Sequence, residues 1–285
     1  MLVSSLLFAA MATFVAAAHR RSPELSANLT STVRALVNLG ALVVLARGDV
    51  RGLFGDGRRA LWGRAFFGAT ALLCYFAAIH LTSAGEAAFL NQTSAVWVAA
   101  LAPLVLGERT PAWTWLAIVG SVVGAGMLAH PRPDEGLGVG RVLGLVSGLL
   151  AAGAYVSLRR ASASNPARVV VFYFTVVSTV IAGSLAVVEG APPPTDPLTW
   201  AFLVGAGVTA TLAQLEMTEA YTIGPASTMA AVGAATPMLT ALSAWIFLGD
   251  TPDTFARAGM AVLLASGVAM PLVSASDLRR RASST

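Results

Sequence analysis

Arg34, Glu216 and Glu219 are charged residues set inside long apolar runs, where a charge is costly and marks function by default. Glu216 and Glu219 stand three apart and so share one face of a helix, where two carboxylates could hold a cation or a proton. They are the candidates for a coupling-ion site. Arg34 lies about eight residues into its run, roughly 12 Å deep at 1.5 Å per residue. It is too deep to reach water along its own stem, so it needs an acid or a substrate carboxylate as partner. Asn91, Gln92 and Gln214 bring amides into apolar surroundings, where each must find a partner, either a neighbouring helix or a bound solute. Tyr75, Trp97 and Tyr155 offer rings that could stack on an amphipathic organic solute or serve as packing and interfacial anchors. Pro237 leaves a backbone carbonyl without a donor and Gly233 precedes it, which makes a candidate hinge. Glu86 and His80 flank a turn and are expected in solvent.

The same inventory argues against catalysis. His19, His80 and His130 fall at or near the ends of apolar runs without metal-ligand spacing, and the single cysteine, Cys74, has no obvious base. No G-x-x-x-x-G-K phosphate loop occurs. The expectation is a protein with no catalytic residues, no metal and no cofactor.

The elements that carry these residues follow from composition. Hydrophobic residues are 56% of the 285-residue chain and charged residues 11%, against about 25% charged in a soluble domain, and the mean hydropathy is +0.74. The apolar runs are continuous and helix-spanning in length, which selects helices over a barrel of alternating strands. Ten spans are expected, near 1–18, 26–46, 65–82, 84–106, 112–129, 138–158, 167–188, 198–217, 225–248 and 254–274. The first lacks a positive leader and is read as a retained span. The 43-residue run from Ala65 to Gly107 is too long for one crossing and must turn at Thr82–Gly85.

The chain also repeats. Shifted by 142 positions, Tyr75–Glu108 falls on Met217–Asp250 without a gap, and both copies end in Leu-Gly-acid. Five spans per half is an odd number, so the second half enters the membrane from the opposite side, giving two inverted five-helix repeats, residues 1–130 and 131–285. Every basic residue is arginine. With the N-terminus inside, Arg47, Arg51, Arg58, Arg59, Arg64, Arg109, Arg159, Arg160, Arg168, Arg279, Arg280 and Arg281 fall on the cytoplasmic side. Arg20, Arg21, Arg132, Arg141 and Arg257 fall outside. That asymmetry places both termini in the cytoplasm, and it accounts for the high pI without nucleic acid. Gly120 and Gly124, and Gly140, Gly144 and Gly148, have the spacing of close helix contacts in lipid and are expected to seam spans five and six or to form a dimer face.

These residues resemble the drug/metabolite transporter superfamily and, within it, the EamA family of ten-span, two-repeat transporters. The likeness rests on Leu106-Gly107-Glu108 and Leu248-Gly249-Asp250, on Ala213-Gln214 with Thr218 and Ala220 before Gly224-Pro225-Ala226-Ser227, on Thr236-Pro237, and on Arg34 in span two. Glu216 and Glu219, and Ala95 in place of a common proline, depart from the family pattern. The resemblance implies an all-α polytopic protein of the bacterial inner membrane that exports a small organic metabolite, such as an amino acid. Read from the residues themselves, the candidate substrate contacts are Arg34, Tyr75, Asn91, Gln92, Trp97, Tyr155, Gln214, Glu216 and Thr236. Import or exchange, proton or counter-solute coupling, and monomer or homodimer all remain open.

Overall fold

The computed structural model describes residues 1–82, 84–129, 138–190 and 192–266, apart from the side chains of residues 80, 84 and 85. These residues form helices and connecting turns, without strands. Helix α1 spans Leu2–Arg21, α2 Ala27–Leu45 and α3 Arg59–Leu81. Helices α4 (Ala84–Gln92) and α5 (Ser94–Leu106) are two pieces of one span, followed by α6 (Ala112–Ala129). Then come α7 (Val139–Ala161), α8 (Ala167–Glu189) and α9 (Pro197–Ile223). Helices α10 (Ala226–Gly233) and α11 (Thr236–Leu248) again divide one span, and α12 covers Thr254–Ser266. The result is a ten-span, all-α membrane fold.

Local chemistry sets the boundaries. Ser26 caps α2 by accepting from the backbone N–H groups of Asn28 and Leu29. Asp196 caps α9 with Pro197 in the first turn, where a missing N–H costs nothing. Gly107 and Gly249 end α5 and α11 with φ of 68° and 75°, the left-handed conformation that glycine adopts without penalty.

The repeat is visible in these limits. With the 142-residue shift, α4 and α10 begin together, α5 and α11 begin and end together, and α3 and α9 end together. Both divided spans break at the same place. In the second, Pro237 cannot donate to the ladder. In the first no proline stands at the break, since Pro103 lies further along α5. There the hydroxyl of Thr93 donates to the Leu90 carbonyl at 2.6 Å, competing with the helical pattern.

The halves pack on each other more than within themselves. Helix α3 lies antiparallel along α7, and α1 lies antiparallel along α9, with Ser4 bonded to the Ala213 carbonyl at 2.8 Å and Ser22 to Thr199 at 3.1 Å. Helix α2 faces α8, where Ser26 and Asn28 both donate to Glu189. Exchanging the two halves maps α1–α9 onto α7–α3 and α2–α8 onto itself. One end of the bundle therefore gathers the ends of α2, α5, α7 and α9 (the first face), and the opposite end gathers the ends of α1, α3, α6, α8 and α11 (the second face).

Four expectations need correction. Span three begins at Arg59, not near 65, and span eight runs to Ile223, not to 217. The glycine seam does not join spans five and six. A Cβ on Gly124 would meet the Gly259 carbonyl of α12 at 2.9 Å, while Gly140, Gly144 and Gly148 lie against Leu81, Leu90 and Thr93. The seams are α6 on α12 and α7 on α4, where lack of a side chain lets backbones touch and gain dispersion contact. Glu86 is not in solvent but 6% exposed, bonded to Arg141 at 2.5 Å.

Candidate functional site

Two adjoining chambers lie between the halves. The larger, about 560 Å³, is bordered by α1, α4, α6, α10 and α11. The smaller, about 300 Å³, lies against α2, α3, α7, α8 and α9. Phe8, Met11, Tyr75, Asn91, Tyr155 and Met217 border both, so the two chambers adjoin. Tyr75 and Met217 are the equivalent residues of the two repeats.

The larger chamber is apolar with polar groups at the helix breaks. Asn91, Gln92, Gly233, Thr236 and Pro237 all border it. Asn91 donates to Ser147 at 3.0 Å, and the Thr236 hydroxyl donates to the Gly233 carbonyl at 2.7 Å. Towards the first face the chamber ends at Tyr155 and Tyr221, stacked with ring centroids 5.7 Å apart and planes inclined by 13°. Towards the second it reaches Ala88, Leu128 and Ala129, near the ends of α4 and α6.

The smaller chamber holds the charge. Arg34 and Arg64 both border it, with Gln214 and Phe174. The Arg64 guanidinium sits 4.2 Å over the Phe174 ring and donates to the Gln214 side-chain carbonyl at 3.3 Å. Arg34 reaches the Met11 sulfur at 3.5 Å. Among the described residues, no aspartate or glutamate borders either chamber.

The structure thus brings together Arg34, Tyr75, Asn91, Gln92, Tyr155, Gln214, Gly233, Thr236 and Pro237. It leaves out Trp97, Glu216 and Glu219. Trp97 is 41% exposed, and Glu216 and Glu219 lie on the exposed side of α9, in line with Leu212 and Ile223. The reason is helical phase. Gln214, Met217 and Tyr221 follow each other by three and four residues and face the cavity; Glu216, two residues from Gln214, is turned about 200° away.

Sequence reasoning missed Arg64, Phe174, Met217 and Tyr221. Arg64 was assigned to a cytoplasmic loop, yet it is 6% exposed inside α3. Its sequence signal is Gly68, one turn on. A Cβ there would lie 2.1 Å from the Arg64 guanidinium and 3.0 Å from the Phe174 ring, so the glycine makes the space that the arginine fills.

Beyond the tyrosine pair the first face is tied shut. One turn past Tyr155, Arg159 bonds Glu108 at 2.7 Å and the carbonyls of Tyr221 and Thr222 at 2.7 and 3.0 Å. The other Glu108 oxygen accepts from the Ala226 N–H at 2.7 Å, at the start of α10. On the second face Asp250, the equivalent of Glu108, pairs with Arg20, which also donates to the Leu248 carbonyl at 2.7 Å.

The model of the EamA-like transporter family matches residues 1–129 and again 138–270. The chain belongs to the EamA-like transporter family. Its relatives include the pseudopaline exporter CntI of Pseudomonas aeruginosa, 33% identical over 208 residues that cover 73% of this chain and 72% of that protein. An uncharacterized transporter of Helicobacter pylori is 26% identical over 224 residues, 76% of this chain and 74% of that one. A riboflavin transporter of Rhizobium johnstonii is 27% identical over 183 residues, 64% of this chain and 60% of that one. A solved crystal structure shares the fold, with a TM-score of 0.77 at 19% identity over 97% of this chain and 96% of the other. A multi-pass membrane protein that transports a small solute is what this EamA-like membership establishes.

Proposed function

We propose that this protein is a secondary transporter that exports a small organic metabolite, an amino acid or a similar amphipathic solute, by alternating access. The observation that carries the reading is the position of the cavity. It lies between halves 1–130 and 131–285, at the breaks of both divided helices, with polar groups and tyrosines around it. The paired carboxylates support alternation, since the repeats place Glu108–Arg159 at one face and Asp250–Arg20 at the other.

In this arrangement the cavity reaches towards the second face and is closed at the first. The first face gathers Arg47, Arg51, Arg58, Arg59, Arg109, Arg159, Arg160 and Arg168, which favours the cytoplasm for it and for both termini. Relatives among bacterial transporters support the inner membrane as its place. The direction of transport rests on the relatives named as exporters.

The test is flux. Cells expressing the protein are loaded with labelled amino acids and related metabolites, beside cells expressing Tyr155→Ala. A labelled solute should leave at a rate that depends on the intact protein. If no solute moves in a protein-dependent way, in cells or in proteoliposomes, the transporter reading fails. Cysteine labelling at Thr195 in a Cys74→Ser background tests orientation, with reaction from outside expected.

A further inference from the structure

We propose that the smaller chamber is a site for a solute bearing two carboxylates on an apolar or aromatic body. This deepens the transporter reading and rests on it. Arg34 and Arg64 come from different helices, α2 and α3, and border one space of about 300 Å³. Within the span region, two guanidinium charges must meet anions or pay heavily for lost water. Among the described residues neither has a carboxylate partner. The contacts of Arg34 come down to a thioether, and those of Arg64 to one amide oxygen and a ring face. Each guanidinium carries five donors in a planar fork suited to a carboxylate, so most donors are unused. The chamber is built for this charge, because Gly68 leaves the volume that Arg64 occupies.

The charge fixes the ligand class. Two fixed positive charges with no acid around either chamber repel cations and leave a neutral solute with unanswered donors. Two carboxylates answer both. The remaining body extends past Tyr75 and Tyr155, which border both chambers, into the apolar larger chamber.

The probe is N-benzyloxycarbonyl-glutamate, beside its monomethyl and dimethyl esters, read by thermal stabilisation of the purified protein at constant ionic strength. The dicarboxylate is expected to bind at least about tenfold more tightly than the monoester, and the monoester about tenfold more tightly than the diester. In Arg34→Gln and Arg64→Gln, checked for monodispersity, the dicarboxylate should fall to the monoester's affinity, with partial recovery in the Lys variants. Equal binding of the three compounds, tightest binding of the diester, stabilisation by chloride alone, or no stabilisation by the dicarboxylate at millimolar concentration overturns the proposal on wild-type protein alone. Counterflow of the labelled dicarboxylate in proteoliposomes separates the two readings. Binding without protein-dependent flux sinks the transporter and leaves the site. Flux of the dicarboxylate untouched by both Gln variants sinks the site and leaves the transporter.

Discussion

Glu108 and Asp250 occupy equivalent positions of the two repeats, yet their carboxylates tie opposite ends of the bundle. Glu108 reaches the end of α7 through Arg159, and Asp250 reaches the end of α1 through Arg20. Each joins the divided span of one half to the first helix of the other half. The Glu108 pair is the more buried, and Glu108 also holds the first N–H of α10. The Asp250 pair is about half exposed and is screened by solvent. In the proposed alternating cycle, opening the first face breaks the Glu108 network. Glu108→Gln is expected to raise the reactivity of a cysteine placed at Ala230 towards a reagent supplied on the first-face side, and a double-mutant cycle with Arg159→Ala should give a coupling of about 1–3 kcal/mol. Equal reactivity in Glu108→Gln and its parent would exclude a latch. The Asp250–Arg20 cycle should give less than about 1 kcal/mol.

Gly68→Ala and Gly40→Ala should differ in sign. At Gly68 the added Cβ meets Arg64 and Phe174, so the guanidinium must leave its place over the ring. Overpacking of this kind costs about 1–3 kcal/mol, and affinity for a dianionic probe should drop several-fold. At Gly40 nothing lies within 4 Å, and an alanine there should be neutral or stabilising by about 0.5–1 kcal/mol. Thermal unfolding of both variants checks this.

Glu216→Gln should transport within about twofold of the parent, with the same pH dependence, because a surface change away from a site alters little. Its carboxyl points away from both chambers. A lost or shifted pH profile would return Glu216 to the mechanism and contradict the phase of α9.

Asp196 should make the protein acid-sensitive in a defined window. The Arg21 side chain, followed by Thr199, holds its carboxyl down from 3.8 to about 2. A depressed folded-state value means the contribution is fully present above the ordinary carboxylate range and is lost as pH falls through about 2. Wild-type melting temperature should therefore drop between about pH 4 and pH 2. Asp196→Asn should melt lower at neutral pH and show a smaller drop in that window. Parallel curves for the two proteins would deny Asp196 this role.

The sequence by itself determined what depends on local pattern. Run length and hydropathy set the spans, and the turns after Leu81 and Leu106 follow from short-range chemistry. The 142-residue shift carried the repeat, because equivalent positions recur in order along the chain whatever they touch. Tertiary structure alone decided which side chains face each other. Arg64 reads as one more cytoplasmic arginine until Gly68 and Phe174 close around it from two helices. Glu216 and Trp97 sit in the right spans but turn outward, since a shift of two residues reverses a helix face while leaving hydropathy almost unchanged. The pairing of Glu108 with Arg159, and of Asp250 with Arg20, joins residues 51 and 230 positions apart. Such a choice of partner belongs to the way the two halves interlock, which a linear sequence does not display.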